Sequence, residues 1–184
     1  MCIRDSFSPD LNEQGEPRYD VTIRGTWPSY EFSPRNVQFF GVDGALSLGP
    51  NAPVGLDARG AMVRGQELST GMHLVGTPAD YVDVSALGRL PAIGKALRTE
   101  IAVSGEFVAK QSRVDPSMDF APAPDGYALL HAAVKTELGV DRPVRVSLVG
   151  RNLLNTRYRE YTSLRRYYAD QPGRDVQLRV GTDF

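Results

Sequence analysis

The chain has 184 residues with 21 basic and 22 acidic side chains, a net charge of −1. That balance gives no global field for nucleic acid. Hydrophobic residues make up 41%, and no apolar run approaches the roughly 20 residues of a membrane-spanning helix. A membrane β-barrel is not excluded, because its strands are about 10 residues long and only half apolar.

The chain begins "MCIRDSFSPDLNEQGEPRYD". It has no apolar segment of the signal-peptide kind. The lead "MCIRDS" fits no later pattern and resembles a spurious start of translated environmental fragments. Residues 1–6 are therefore read as foreign, with a short disordered native tail as the alternative, and residues 7–184 as one continuous portion. The lone cysteine, Cys2, allows no disulfide within the chain.

From there a period of two recurs, the mark of strands with one apolar face. "EPRYDVTIRGTW" is a first, weaker strand. In "RNVQFFGVDGALSLG", Phe40, Val42, Leu46 and Leu48 are assigned to one face, and Gln38, Asp43 and Ser47 to the other. "VGLDARGAMVRGQ" and "PADYVDVSALGRL" follow. In "RTEIAVSGEFVAK", Ile101, Val103 and Phe107 alternate with Glu100, Ser104 and Glu106. "YALLHAAVKTEL" has helix-forming composition, but its alternation and neighbours favour a strand. Its outward residues are Leu130 and Val134, and His131 faces inward to line a lumen. In "RPVRVSLVGRN", Val146 and Leu148 point outward and Arg145 inward. The last strand sets Val176, Leu178, Val180 and terminal Phe184 outward against Gln177 and Arg179 inward.

About eight strands result, an all-β, antiparallel up-and-down meander. "LGPNAPV", "GRLPAIGKA" and "LGVDRPV" are short turns. "GQELSTGMHLVGTP", "QSRVDPSMDFAPAPD" and "NTRYREYTSLRRYYADQPG" are long polar loops. Short turns at one end and long loops at the other describe an outer-membrane barrel.

The residues after Val146 carry a further pattern. Asn152, Leu153, Asn155 and Tyr158 form an N-L-x-N-x-x-Y segment. Ser163 and Arg166 form S-x-x-R, Pro172 to Arg174 form P-G-R, and the chain ends on Phe184. This resembles the end of TonB-dependent outer-membrane receptors. "DGYALLHAAV" resembles the family's T-x-G-Y strand start, with Pro124 and Asp125 where threonine is commoner. "FFGVDGAL" resembles its G-x-E strand, with Asp43 for Glu. The likeness runs from Asp20 to Phe184 and is strongest from Asp125.

The resemblance implies the C-terminal part of a transmembrane barrel of about 22 strands, an open curved sheet in isolation. It implies outer-membrane import of a scarce nutrient, a ferric siderophore being the commonest class, with energy from the TonB complex through an absent N-terminal part. Outer-membrane lipid and lipopolysaccharide are the expected surroundings. Phe184, with Val180, Leu178 and Val176, would be the signal read by the barrel-assembly machinery. Two alternatives stand beside this reading: a complete barrel of about eight strands, and a soluble β-sandwich binding module.

The segment 151–174 holds six arginines and four of the eight tyrosines, opposed by Glu160 and Asp170. Arg157, Arg159, Arg165, Arg166, Tyr158 and Tyr161 are candidates for contact with an anionic ligand or lipopolysaccharide phosphate, since the guanidinium fork pairs with both. The competing reading is anchoring at the interface. Asp115, Asp119 and Asp125 offer oxygen ligands for calcium, without an EF-hand glycine turn, so a solvated loop is favoured. His73, His131 and one cysteine make no zinc spacing. Ser112, Ser117 and Ser163 lack a nucleophile-elbow context. No cofactor motif occurs, and no enzyme activity is expected.

Overall fold

A computed structural model of the chain describes residues 2–94, 96–116, 119–139 and 144–182, with backbone alone in 2–8, 32–34 and 96–97. Ten strands follow in order: β1 (Cys2–Pro9), β2 (Tyr19–Thr22), β3 (Gly25–Pro28), β4 (Tyr30–Leu48), β5 (Val54–Glu67), β6 (Tyr81–Leu90), β7 (Ala96–Val108), β8 (Tyr127–Leu138), β9 (Val144–Arg151) and β10 (Asp175–Thr182). Eight of them form one sheet in the order β1-β4-β5-β6-β7-β8-β9-β10, and β2 and β3 form a separate hairpin. Each strand of the large sheet is antiparallel to its neighbours. The sheet is open, with β1 and β10 at its edges.

This is the expected meander, with one substitution. "EPRYDVTIRGTW" does not enter the large sheet. It reverses on itself, pairing Thr22 with Gly25, because Gly25 takes a φ of +126° that side chains rarely adopt. The place beside β4 is taken by the backbone of Cys2–Pro9, from Cys2 opposite Gln38 to Pro9 opposite Tyr30.

The cross-strand register puts the apolar residues of neighbouring strands side by side. Leu46 faces Ala58, which faces Val84. Ala86 faces Val103, which faces Ala132. Val134 faces Leu148, which faces Leu178, and Val146 faces Val180. A continuous apolar belt results, and it is open: Val42 is 63% exposed, Leu46 58%, Leu148 48% and Leu178 67%. A soluble sandwich would cover such a face with a second sheet. Gln38 is corrected by the register. It lies two residues from Phe40 and opposite Gln66, so it shares the belt's face rather than that of Asp43.

The opposite face is polar, and among the described residues buried apolar side chains are few: Val37, Leu129 and Tyr161. β4 runs for 19 residues and β5 for 14, longer than the about 9–11 a tilted strand needs to cross hydrocarbon. The excess lies toward the long loops. All the long connections, β1–β4, β5–β6, β7–β8 and β9–β10, leave the same end of the sheet.

Candidate functional site

The polar face builds the floor of the site. Register sets Arg59 against Asp83, and Arg59 Nε donates to Asp83 Oδ2 at 2.7 Å. Ser47 Oγ donates to Asp57 in the same way. Arg89 pairs with Glu100 at 3.5 Å and Arg145 with Glu137 at 3.6 Å. His131 stands opposite Ser104, and its Nδ1 accepts from the Asn152 backbone N–H at 3.3 Å. A groove of about 630 Å³ runs over Ser47, Asp57, Asp83, Ser104 and His131. A second hollow of about 330 Å³ continues it toward the long loops over Glu106, Tyr127, Glu160 and Tyr161. The carboxylates outnumber Arg59, so this surface favours cationic or hydroxyl-rich groups.

The long loops interlock above the floor. Ser163 caps a 3-10 turn, Leu164–Tyr167, by accepting from Arg165 N. The turn delivers Arg166 into a buried pocket, where its Nη2 lies 2.6 Å from both Asp119 oxygens. Both side chains are 3% exposed. Tyr167 Oη donates to Asp119 Oδ1 at 2.8 Å, and Arg166 donates to Tyr167 Oη at 2.8 Å. The guanidinium also lies over the rings of Tyr161 and Tyr167, at 4.6 and 4.4 Å. Burial holds the Tyr167 phenol well above its ordinary value and pushes Tyr161 up to about 12.

Phe120 stands at the centre of an aromatic cluster, 5.3 Å from Tyr19, 5.0 Å from Tyr30 and 5.9 Å from Tyr167. Trp27 meets Tyr168 at 5.5 Å. The β2–β3 hairpin is thereby fastened to the β7–β8 and β9–β10 loops. Buried Gln111 donates to Thr77 O at 2.7 Å and ties the β5–β6 loop to the same body. Asp80 accepts from Arg64 at 2.6 Å and Arg113 at 2.9 Å, and the Arg64 hydrogen bond holds its carboxyl below the usual range.

The N-L-x-N segment has a backbone explanation. Asn152 and Asn155 adopt φ of +46° and +54°, a region asparagine tolerates better than other side chains. Asn152 Oδ1 accepts from Thr156 N at 2.9 Å and its Nδ2 donates to Thr156 O at 2.9 Å. Asn155 Oδ1 accepts from Arg174 N at 3.0 Å. A Cβ at position 173 would lie 2.7 Å from that oxygen, so the P-G-R glycine lets the loop return to β10.

No family model matches the chain, and no curated protein matches it. Solved structures do match it. The sheet has the fold of the copper transporter OprC. The two superpose with a TM-score of 0.72 over 97% of this chain, at 17% identity. The chain spans 26% of the length of OprC.

Within this OprC-like sheet the expected site residues separate. Arg157 and Arg165 are exposed. Arg159 is tied down, to Asp170 at 2.6 Å and to Arg166 O at 2.8 Å. Tyr158 packs on Tyr127 at 4.5 Å. Arg166 and Tyr161 are buried in the loop body. The three aspartates do not converge: Asp119 is taken by Arg166, and Asp125 by Lys110 at 2.7 Å. Among the described residues no group of three His, Cys, Asp or Glu could hold a metal ion. His73 makes an isolated bridge to Gln66. Val176, Leu178 and Val180 lie exposed on edge strand β10. Phe184 and Ser117 lie outside the described residues. Sequence reasoning missed Asp119 as the partner of Arg166 and missed Gln111 altogether. Contacts spanning 47 and 34 positions leave no local pattern.

Proposed function

We propose that the chain supplies the C-terminal strands of a TonB-dependent outer-membrane receptor, a barrel of about 22 strands that imports a scarce nutrient. The observation that carries this reading is the continuous exposed apolar belt, backed by a polar ladder, on the OprC fold. Lipid would cover the belt, where each Val, Leu or Phe withdrawn from water contributes about 1.5–3 kcal/mol. The polar face would line the passage, and the interlocked loops would form its mouth. Phe184 with Val176, Leu178 and Val180 would be read by the assembly machinery, and the rest of the receptor would engage TonB.

The cargo we favour is a ferric siderophore, following the resemblance of the C-terminal segment. Exposed Arg157 and Arg165 offer cations to an anionic chelate at the mouth. A metal ion is the second reading, favoured by the name of OprC and by the acidic floor around Asp83 and Glu106. The test expresses the complete receptor in a receptor-deleted host and follows radiolabelled iron chelates and radiolabelled copper, with and without collapse of the proton gradient. Energy-dependent uptake of a chelate, weakened about tenfold by Arg157→Ala with Arg165→Ala, supports the first reading. Copper uptake alone supports the second. Uptake of neither, from a receptor folded in the membrane, overturns both.

A further inference from the structure

We propose that a notch in the apolar face, across β4 to β7, seats one phosphorylated membrane lipid. Its acyl chain would lie along the notch and its phosphate at Arg113 and Arg64. This rests on the membrane reading above and gives the belt a specific occupant.

Along most of the belt, each position is filled by a side chain. At one place two glycines face each other, Gly44 on β4 and Gly60 on β5. Between them opens a hollow of about 670 Å³, walled by Val42, Met62, Val82 and Phe107. The two glycines differ in kind. At Gly60 a Cβ would lie 3.0 Å from the Tyr81 carbonyl oxygen, so the neighbouring backbone accounts for that glycine. At Gly44 a Cβ would meet nothing within 4 Å, and the position is not in the left-handed region. Glycine inside a strand weakens it, and neither crowding nor backbone conformation calls for one here. What Gly44 supplies is the hollow.

The end of the hollow nearest the long loops reaches Asp80. There two guanidiniums share one carboxylate: Arg64 at 2.6 and 3.0 Å, Arg113 at 2.9 Å. These three groups together carry one positive charge. The Arg64 and Arg113 side chains remain 20% and 24% exposed, while Arg113 Nε is buried and has no acceptor among the described residues. Guanidinium forks match phosphate oxygens. An apolar hollow ending in a cationic rim, where the belt gives way to polar loops, complements an acyl chain ending in a phosphate. A neutral lipid matches only the floor, and a free phosphate only the rim.

The test measures lipid binding to the complete receptor, purified in mild detergent, by native mass spectrometry. Dioleoyl phosphatidylglycerol and dioleoylglycerol are the probes, and heat-modifiable migration reports the folded barrel. Phosphatidylglycerol is expected to bind in preference to dioleoylglycerol. Gly44→Phe, which fills open space, should abolish that preference by removing both lipids from the hollow. Arg113→Gln should weaken phosphatidylglycerol about tenfold, the loss of a charge-assisted hydrogen bond, and leave dioleoylglycerol unchanged. Equal binding of the two probes by the folded wild type, or equal phosphatidylglycerol binding by wild type and Gly44→Phe, overturns the lipid site. Failure of the wild type to form a heat-modifiable barrel in detergent or bilayers overturns the membrane reading itself.

Discussion

Arg166 shows how one side chain holds the loop end together. A buried ion pair loses the hydration of both groups, and the attraction offsets this only when the remaining donors and acceptors are met. Here Tyr167 Oη, the Ala121 carbonyl and two ring faces complete the Arg166–Asp119 pair. Arg166→Ala strands a buried carboxylate and should cost about 3–5 kcal/mol, read from the urea midpoint of the refolded barrel. Arg166→Met with Asp119→Leu should cost markedly less, since no charge is left unpaired. Equal losses in both would show that packing, not charge, decides. Tyr161 adds a pH dependence. Its folded pKa, raised to about 12 by burial, exceeds the unfolded value near 10. The folded state therefore holds more protons between those values. This contribution is fully present below about pH 10 and is lost as pH rises toward 12. Ultraviolet absorbance titration should show a phenol ionising late, together with loosening of the loops. Tyr161→Phe should remove that alkaline component.

At the scale of the strand, alternation does most of the specifying. Val84 and Ser85 are neighbours in β6, yet Val84 joins the belt beside Ala58 while Ser85 stands between Asp57 and Ser104 on the polar face. An arginine on the lipid side at mid-bilayer costs about 2–4 kcal/mol. Val84→Arg should lower folded yield and stability by that amount, and Ser85→Arg should be nearly neutral. Matching losses would place lipid on both faces. The same alternation is why β4 to β10 were legible in the sequence: a one-residue slip would move every apolar side chain to the wrong face. Turn ends were legible too, from Gly and Pro. The hairpin was not, because "EPRYDVTIRGTW" alternates like a sheet strand, and the φ of Gly25 with the Thr22 hydroxyl bonded across the turn reverses it. The arginine-rich loop was visible as composition, but its division into exposed Arg157 and buried Arg166 depends on Asp119 and Phe120 arriving from another loop.

At the scale of the molecule, the sheet has two free edges, β1 and β10, among the described residues. In a bilayer each unsatisfied backbone group at such an edge costs several kcal/mol. The 184-residue chain expressed alone should therefore need detergent and should restore no energy-dependent uptake to a receptor-deleted host. A monodisperse monomer in plain buffer would contradict this. On this reading one face of the sheet meets lipid and the other meets water. Spin labels placed one at a time in the complete receptor in bilayers distinguish the faces by collision with oxygen and with a water-soluble nickel chelate. Labels at Val84, Val103, Leu148 and Leu178 should collide chiefly with oxygen. Labels at Ser85, Ser104, Ser147 and Gln177 should collide chiefly with the nickel chelate. The same response from both sets, or the reverse division, would show that the apolar belt does not face lipid.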